Sequence, residues 1–168
     1  MIKEYWDTNL FICYLNDKAE EKSKVDIIET FIRNAEKPTS NILIVVSTIV
    51  LCELQPRDTY NQLHYEEIHE LFYTVRHFIK VQALTPKIAD EVSKLRTEHG
   101  NALALTDAIH MVTASLEDCS ILYTFNGDSI RRRPKDMLSF DGVSIIEGKP
   151  PLNIKVPQMP LDSQMRLP

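Results

Sequence analysis

Residues 42–54 read ILIVVSTIVLCEL. The first five are apolar without alternation, which suits a strand covered on both faces, and such strands are typical of parallel sheets. Ser47 or Thr48 then offers a helix cap, Ile49, Val50, Leu51, Cys52 and Leu54 give the helix apolar sides, and Pro56 stops it. A buried strand that runs directly into a helix is the unit from which parallel α/β sheets are built.

The same alternation extends in both directions. Towards the N-terminus, residues 2–6 form a short strand ending at Asp7, and Leu10, Phe11, Tyr14 and Leu15 follow at helical spacing. Val25, Ile28, Phe31, Ile32 and Ala35 mark a second, amphipathic helix that ends near Pro38. Towards the C-terminus, Leu63, Ile68, Leu71, Phe72 and Val75 make a helical stripe, and residues 78–81 a strand. Thr85 and Pro86 then read as N-cap and first position of a helix carrying Ile88, Val92 and Leu95. Residues 102–116, ALALTDAIHMVTASL, are apolar nearly all round, as a central buried helix must be. Residues 121–123 give the next strand and Val143 to Ile146 the last. The pattern predicts a three-layer α/β/α sandwich with a mainly parallel central sheet, spanning residues 1–147. From Gly148 to residue 168 the chain holds five of its nine prolines, which predicts an extended tail on a surface or a partner.

Composition bounds the class. The chain has 168 residues, and 19 basic against 24 acidic side chains give a formal charge of −5. That length builds one core without disulfides or a structural metal. A 43% hydrophobic and 26% charged content excludes global disorder and a disulfide-knotted fold. The opening IKEYWD has no signal-peptide character and no apolar run is long enough to span a bilayer, so a cytoplasmic protein without membrane attachment is expected. Cys13, Cys52 and Cys119 sit in separate apolar runs and are expected to be buried free thiols. The densest basic cluster is Arg131, Arg132, Arg133 and Lys135, by default a solvated turn.

Three acids interrupt apolar sequence. Asp7 ends the first strand, Glu53 sits within IVLCEL, and Asp107 lies in the middle of the most hydrophobic helix. An isolated buried carboxylate is costly unless paired, protonated or bound to a metal. No Lys or Arg follows Asp7 within four residues, and none lies between Arg96 and Arg131. A divalent cation satisfies such a cluster, and hard oxygen ligands suit Mg²⁺ or Mn²⁺. In open α/β sheets the crevice lies beyond the carboxyl ends of the strands, where Asp7 and Asp128 stand and from which the helix bearing Glu53 departs. His110 reads as a structural histidine, and Thr8 and Asn9 as caps of the first helix. Tyr5, Trp6, Tyr123 and Phe125 read as core.

The ordered set WDTNLFI, STIVLCEL, ALTDAIHMVTA and LYTFNGDSI resembles the PIN domain, in particular the VapC-type toxin ribonucleases of toxin–antitoxin modules. The likeness covers roughly residues 1–147 and implies that Asp7, Glu53 and Asp107 are catalytic metal ligands. Many members carry an acid two residues after the threonine of the last motif. Here Asn126 stands in that place after Thr124, and Asp128 two residues further on is the alternative fourth ligand. Thr124 matches a hydroxyl that orders a water or an acid. The implied activity is hydrolysis of RNA phosphodiester bonds by an endoribonuclease that uses one or two Mg²⁺ or Mn²⁺ ions. Two bound ions shift the formal charge from −5 to −1, and Arg131, Arg132, Arg133 and Lys135 become the candidates for RNA phosphate contacts. Implied partners are an RNA substrate, an antitoxin protein and a second copy of the chain in a homodimer. Two other readings stand beside the toxin: a housekeeping RNA-processing PIN nuclease, and a silent PIN-fold module that binds RNA or protein, which Asn126 favours.

Overall fold

The computed structural model describes residues 1–16, 21–54, 60–100, 103–125 and 137–159. Along the chain these form β1 (Ile2–Trp6), α1 (Thr8–Asn16), α2 (Lys22–Glu36), β2 (Ile42–Ser47), α3 (Ile49–Glu53), α4 (Gln62–Tyr73), β3 (Ile79–Gln82), α5 (Pro86–His99), α6 (Leu105–Leu116), β4 (Ile121–Tyr123) and β5 (Asn153–Lys155). The five strands are hydrogen-bonded in the order β3-β2-β1-β4-β5, and every pairing between them is parallel. This is the three-layer α/β/α arrangement the sequence pattern predicts.

Period-two alternation along the strands divides the core into two layers. Tyr5, Leu43, Val45, Leu122 and Ile154 point to one face and pack with Ile88, Val92 and Leu95 of α5 and with Ala108, Met111 and Val112 of α6. Trp6, Ile44 and Val46 point to the other, among Leu10, Phe11 and Leu15 of α1, Ile28 of α2 and Ile68 and Phe72 of α4. α6 is buried continuously from Ala108 to Ser115, which explains its lack of a polar face. Among the described residues no helix is long and apolar enough to cross a membrane.

Local signals act where they were read. Thr85 Oγ1 accepts from the Ile88 N–H and Pro86 opens α5, while Gly100 at φ +68° ends it in a conformation that disfavours a side chain. Ser47 Oγ accepts from the Ile49 N–H at the start of α3, whereas Thr48 Oγ1 accepts from the Leu84 N–H.

Four expectations are corrected. The last strand is Asn153–Lys155, not 143–146, and Val143 makes only an isolated antiparallel bridge to Leu152. Gly142 and Gly148, at φ +73° and +77°, bend the intervening chain back on itself, and the Asp141 carboxylate accepts the Ile154 N–H at 2.6 Å. The sheet thus draws its edge strand from the proline-rich segment, with Leu152 and Ile154 buried between exposed Asn153 and Lys155. α4 ends at Tyr73, so Val75 is fully exposed, and Leu63 at its start is 69% exposed. Cys13 and Cys119 are buried free thiols, but Cys52 is exposed on the outer side of α3. Finally, α6 begins at Leu105 after extended Ala104, which places Asp107 in its first turn, half-buried, and not in mid-helix.

β5 also reaches the far end of the sheet: the Thr124 N–H donates to the Lys155 carbonyl at 3.0 Å. Replacing Ile154, which is 2% exposed, by Ala should cost about 2–5 kcal/mol, as truncation of a buried Ile typically does. Urea unfolding at constant m-value measures it, and a change near zero would show that the segment is an appendage and not part of the sheet.

Candidate active site

The site forms where β1, β2 and β4 end. Asp7 follows β1 directly, and its N–H donates to the Tyr123 carbonyl at 3.1 Å, continuing the β1–β4 ladder by one bond. Its carboxylate is 2% exposed and is gripped at both oxygens. Asn9 Nδ2 and Thr124 Oγ1 donate to Oδ2 at 2.9 and 2.7 Å, and His110 Nε2 lies 3.1 Å from Oδ1. Glu53 arrives from the end of α3, and its Oε2 receives Thr8 Oγ1 at 2.5 Å and lies 3.2 Å from the same His110 Nε2. Thr106, in the first turn of α6, adds the smallest of the effects that lower the Glu53 pKa. Behind the imidazole, His110 Nδ1 meets the Tyr5 hydroxyl at 2.8 Å.

Electrostatics follow from this packing. Burial opposes a charged His110, but the negative charge of Asp7, the hydrogen bond and charge of Glu53, and the charge of Asp107 raise its pKa above 6.5. Asp107 therefore lies close enough to act on the same imidazole. Burial alone would raise Glu53, yet the hydrogen bonds from His110 and Thr8 and the His110 charge hold its carboxyl below the ordinary 4.5. Burial, and then the charge of Asp7, push the Tyr5 hydroxyl well above 10, so it stays protonated.

The structure thus brings Asp7 and Glu53 into contact with one His110 nitrogen, with Thr124 bonded to Asp7, while Asp107 acts on the same imidazole through its charge. Asn126, Asp128, Arg131, Arg132, Arg133 and Lys135 lie outside the described residues. Sequence reasoning passed over four participants. Thr8 holds Glu53, Asn9 holds Asp7 from its neighbouring position, Thr106 helps lower the Glu53 pKa, and His110 sits at the centre. The available signal was spacing: Asp107 and His110 are three apart on a helix and share a face. Lys24 of α2 places its ammonium 5.3 Å from the ring centre of Phe125, the residue after Thr124.

Among the described residues no three His, Cys, Asp or Glu side chains form a ready-made metal cage. The donor set nevertheless suits a hydrated hard cation. Mg²⁺ keeps several waters and takes one or two protein carboxylates, and two carboxylates that share one positively biased N–H are oriented for such an ion.

A family model described as the PIN domain matches residues 5–136. No curated protein matches the sequence. Among solved structures, the fold is similar to VapBC2 from Rickettsia felis, solved bound to a DNA fragment from its promoter. That likeness has a TM-score of 0.54 at 18% identity and covers 94% of this chain and 100% of that one. It is also similar to VapC20 from Mycobacterium tuberculosis, a toxin that cleaves the sarcin–ricin loop. Here the TM-score is 0.54 at 16% identity, covering 74% of this chain and 91% of that one.

The paired shifts predict a stability optimum. His110, raised, contributes fully below 6.5 and loses its contribution as pH rises through its higher folded value. Glu53, lowered, contributes above 4.5 and loses it as pH falls through its lower folded value. Metal-free protein should therefore be most stable between about pH 4.5 and 6.5 and lose melting temperature as the pH rises through the raised value of His110. His110→Gln should flatten the alkaline limb in a thermal-melt series, and an unchanged limb would remove His110 as its cause.

Proposed function

This chain belongs to the PIN domain family, and from that membership we propose that it is a metal-dependent endoribonuclease, the toxin of a VapBC-type toxin–antitoxin module. The observation that carries the nuclease reading is the convergence of Asp7 and Glu53, from the ends of different elements, on a single His110 nitrogen that also feels Asp107. Keeping three acids together is costly unless a cation uses them.

In this reading Asp7, Glu53 and Asp107 hold Mg²⁺ or Mn²⁺, with the fourth position filled by Asn126 or Asp128. When bound, the cation supplies Lewis acidity towards the scissile phosphate and lowers the pKa of an attacking water. The chain's own residues fix the ligands. Thr124 and Asn9 fix one oxygen of Asp7, and Thr8 fixes Glu53, so neither acid must reorganise when substrate arrives. Lys24 supplies a cation beside Phe125 for the RNA backbone, alongside Arg131, Arg132, Arg133 and Lys135. Bound divalent ions offset the acidic balance of the chain, which removes most long-range repulsion of RNA.

The toxin assignment rests on the likeness of the fold to VapBC2 and VapC20, and it brings an antitoxin partner and a homodimer with it. Because β5 pairs with β4, the nuclease domain in this reading extends past residue 147 to include β5. A housekeeping PIN nuclease would show the same chemistry without arresting growth on expression.

Purified protein should cleave RNA from a mixed panel of structured and single-stranded substrates only with Mn²⁺ or Mg²⁺. Asp7→Asn and Asp107→Asn should each lower the rate by at least about 100-fold, the order expected when an electrostatic element of the centre is lost. Metal-independent cleavage, or full activity in both variants, would overturn the assignment.

A further inference from the structure

We propose that His110 is a positioning residue of the acidic centre, holding the Asp7 and Glu53 carboxylates in one orientation for a divalent cation, and that Tyr5 holds His110. This rests on the nuclease reading and adds to it a residue that touches neither substrate nor reacting atoms.

The proton on the imidazole is assigned by its neighbours. His110 Nε2 faces Asp7 Oδ1 at 3.1 Å, Glu53 Oε2 at 3.2 Å and Thr8 Oγ1 at 3.1 Å. Ionised carboxylates only accept, and the Thr8 hydrogen is already given to Glu53, so Nε2 carries a hydrogen whether the ring is neutral or charged. One N–H is thereby shared between acids from two different elements.

The ring cannot turn away, because His110 is 1% exposed and its Nδ1 is bonded to Tyr5. Tyr5 is itself fully buried and precedes Asp7 by two residues, and because the Asp7 N–H extends the β1–β4 ladder by one bond, both side chains lie on one face of the sheet. A buried path of polar contacts therefore runs from Tyr5 through His110 to the two acids. Other contacts among the described residues act on one acid each: Asn9 and Thr124 on Asp7, and Thr8 on Glu53. His110 contacts both. Partners that orient metal ligands from behind typically account for about 10–100-fold in metal affinity.

The test is calorimetric binding of Mn²⁺ to the full chain, with RNA cleavage measured in parallel. His110→Leu, which fills the space without a donor, should bind Mn²⁺ about 10–100-fold more weakly than wild type. His110→Gln, which offers an amide N–H in its place, should recover most of that loss. Tyr5→Phe removes a single oxygen outside the cluster and should weaken Mn²⁺ binding with an unchanged circular dichroism spectrum; it carries the test if His110→Leu does not fold. Wild-type affinity in His110→Leu or in Tyr5→Phe, or Gln as weak as Leu, overturns the positioning role while leaving the nuclease intact. A wild type that neither binds Mn²⁺ nor cleaves RNA overturns the nuclease reading and this inference with it.

Discussion

Two carboxylates from separate elements share one imidazole N–H, and the buried polar architecture is arranged to make that sharing tolerable. A carboxylate as enclosed as Asp7 is stable only if its oxygens are satisfied. Thr124 must therefore stand at the end of β4, Asn9 in the first turn of α1, and His110 on the one helix that is otherwise apolar all round. Parallel strand order supplies the geometry. With β1 central, its carboxyl end is flanked by β2, which leads to Glu53, and by β4, which leads to Thr124.

Much of this was written in the local sequence. The unalternating ILIVV of β2 and the alternating faces of the sheet specified parallel strands, because only a strand covered twice dispenses with polar positions. Asp7 and Glu53 stood out because several acids set in apolar runs of one small domain need a common explanation, whereas any one alone reads as a cap or a solvent-facing residue. β5 was harder. Its Leu152-Asn153-Ile154-Lys155 does alternate, but Pro150 and Pro151 before it look like a tail, and an edge strand needs fewer ladder bonds than a central one. The start of α6 was misplaced for a related reason. Residues 102–104 are good helix formers, and what ends the helix there is extended Ala104, a tertiary effect with no residue-level marker.

His110 shows the limit of reading one residue at a time. Within TDAIHMVTA it looks like a core histidine, and it is nearly as buried as any core residue. Its role emerges only when β1 brings Tyr5 to one ring nitrogen and Asp7 to the other, a contact across 105 and 103 residues of chain. Pairings of that kind have no local signature, since the hydrogen-bonding capacity of a histidine is used by whatever the fold places beside it.

The strand order also sets a schedule for synthesis. β1 is made before the other four strands, yet it lies in the middle of the sheet, and one of its two neighbours, β4, is made more than a hundred residues later. Until α6 and β4 have emerged, Asp7 has neither His110 nor Thr124 to hold it, and β5 closes the sheet later still. Long-range parallel pairing is slow to form for the same reason. A nascent chain therefore carries Asp7 long before it carries the cluster that Asp7 belongs to, and that cluster is assembled only when the sheet is nearly complete.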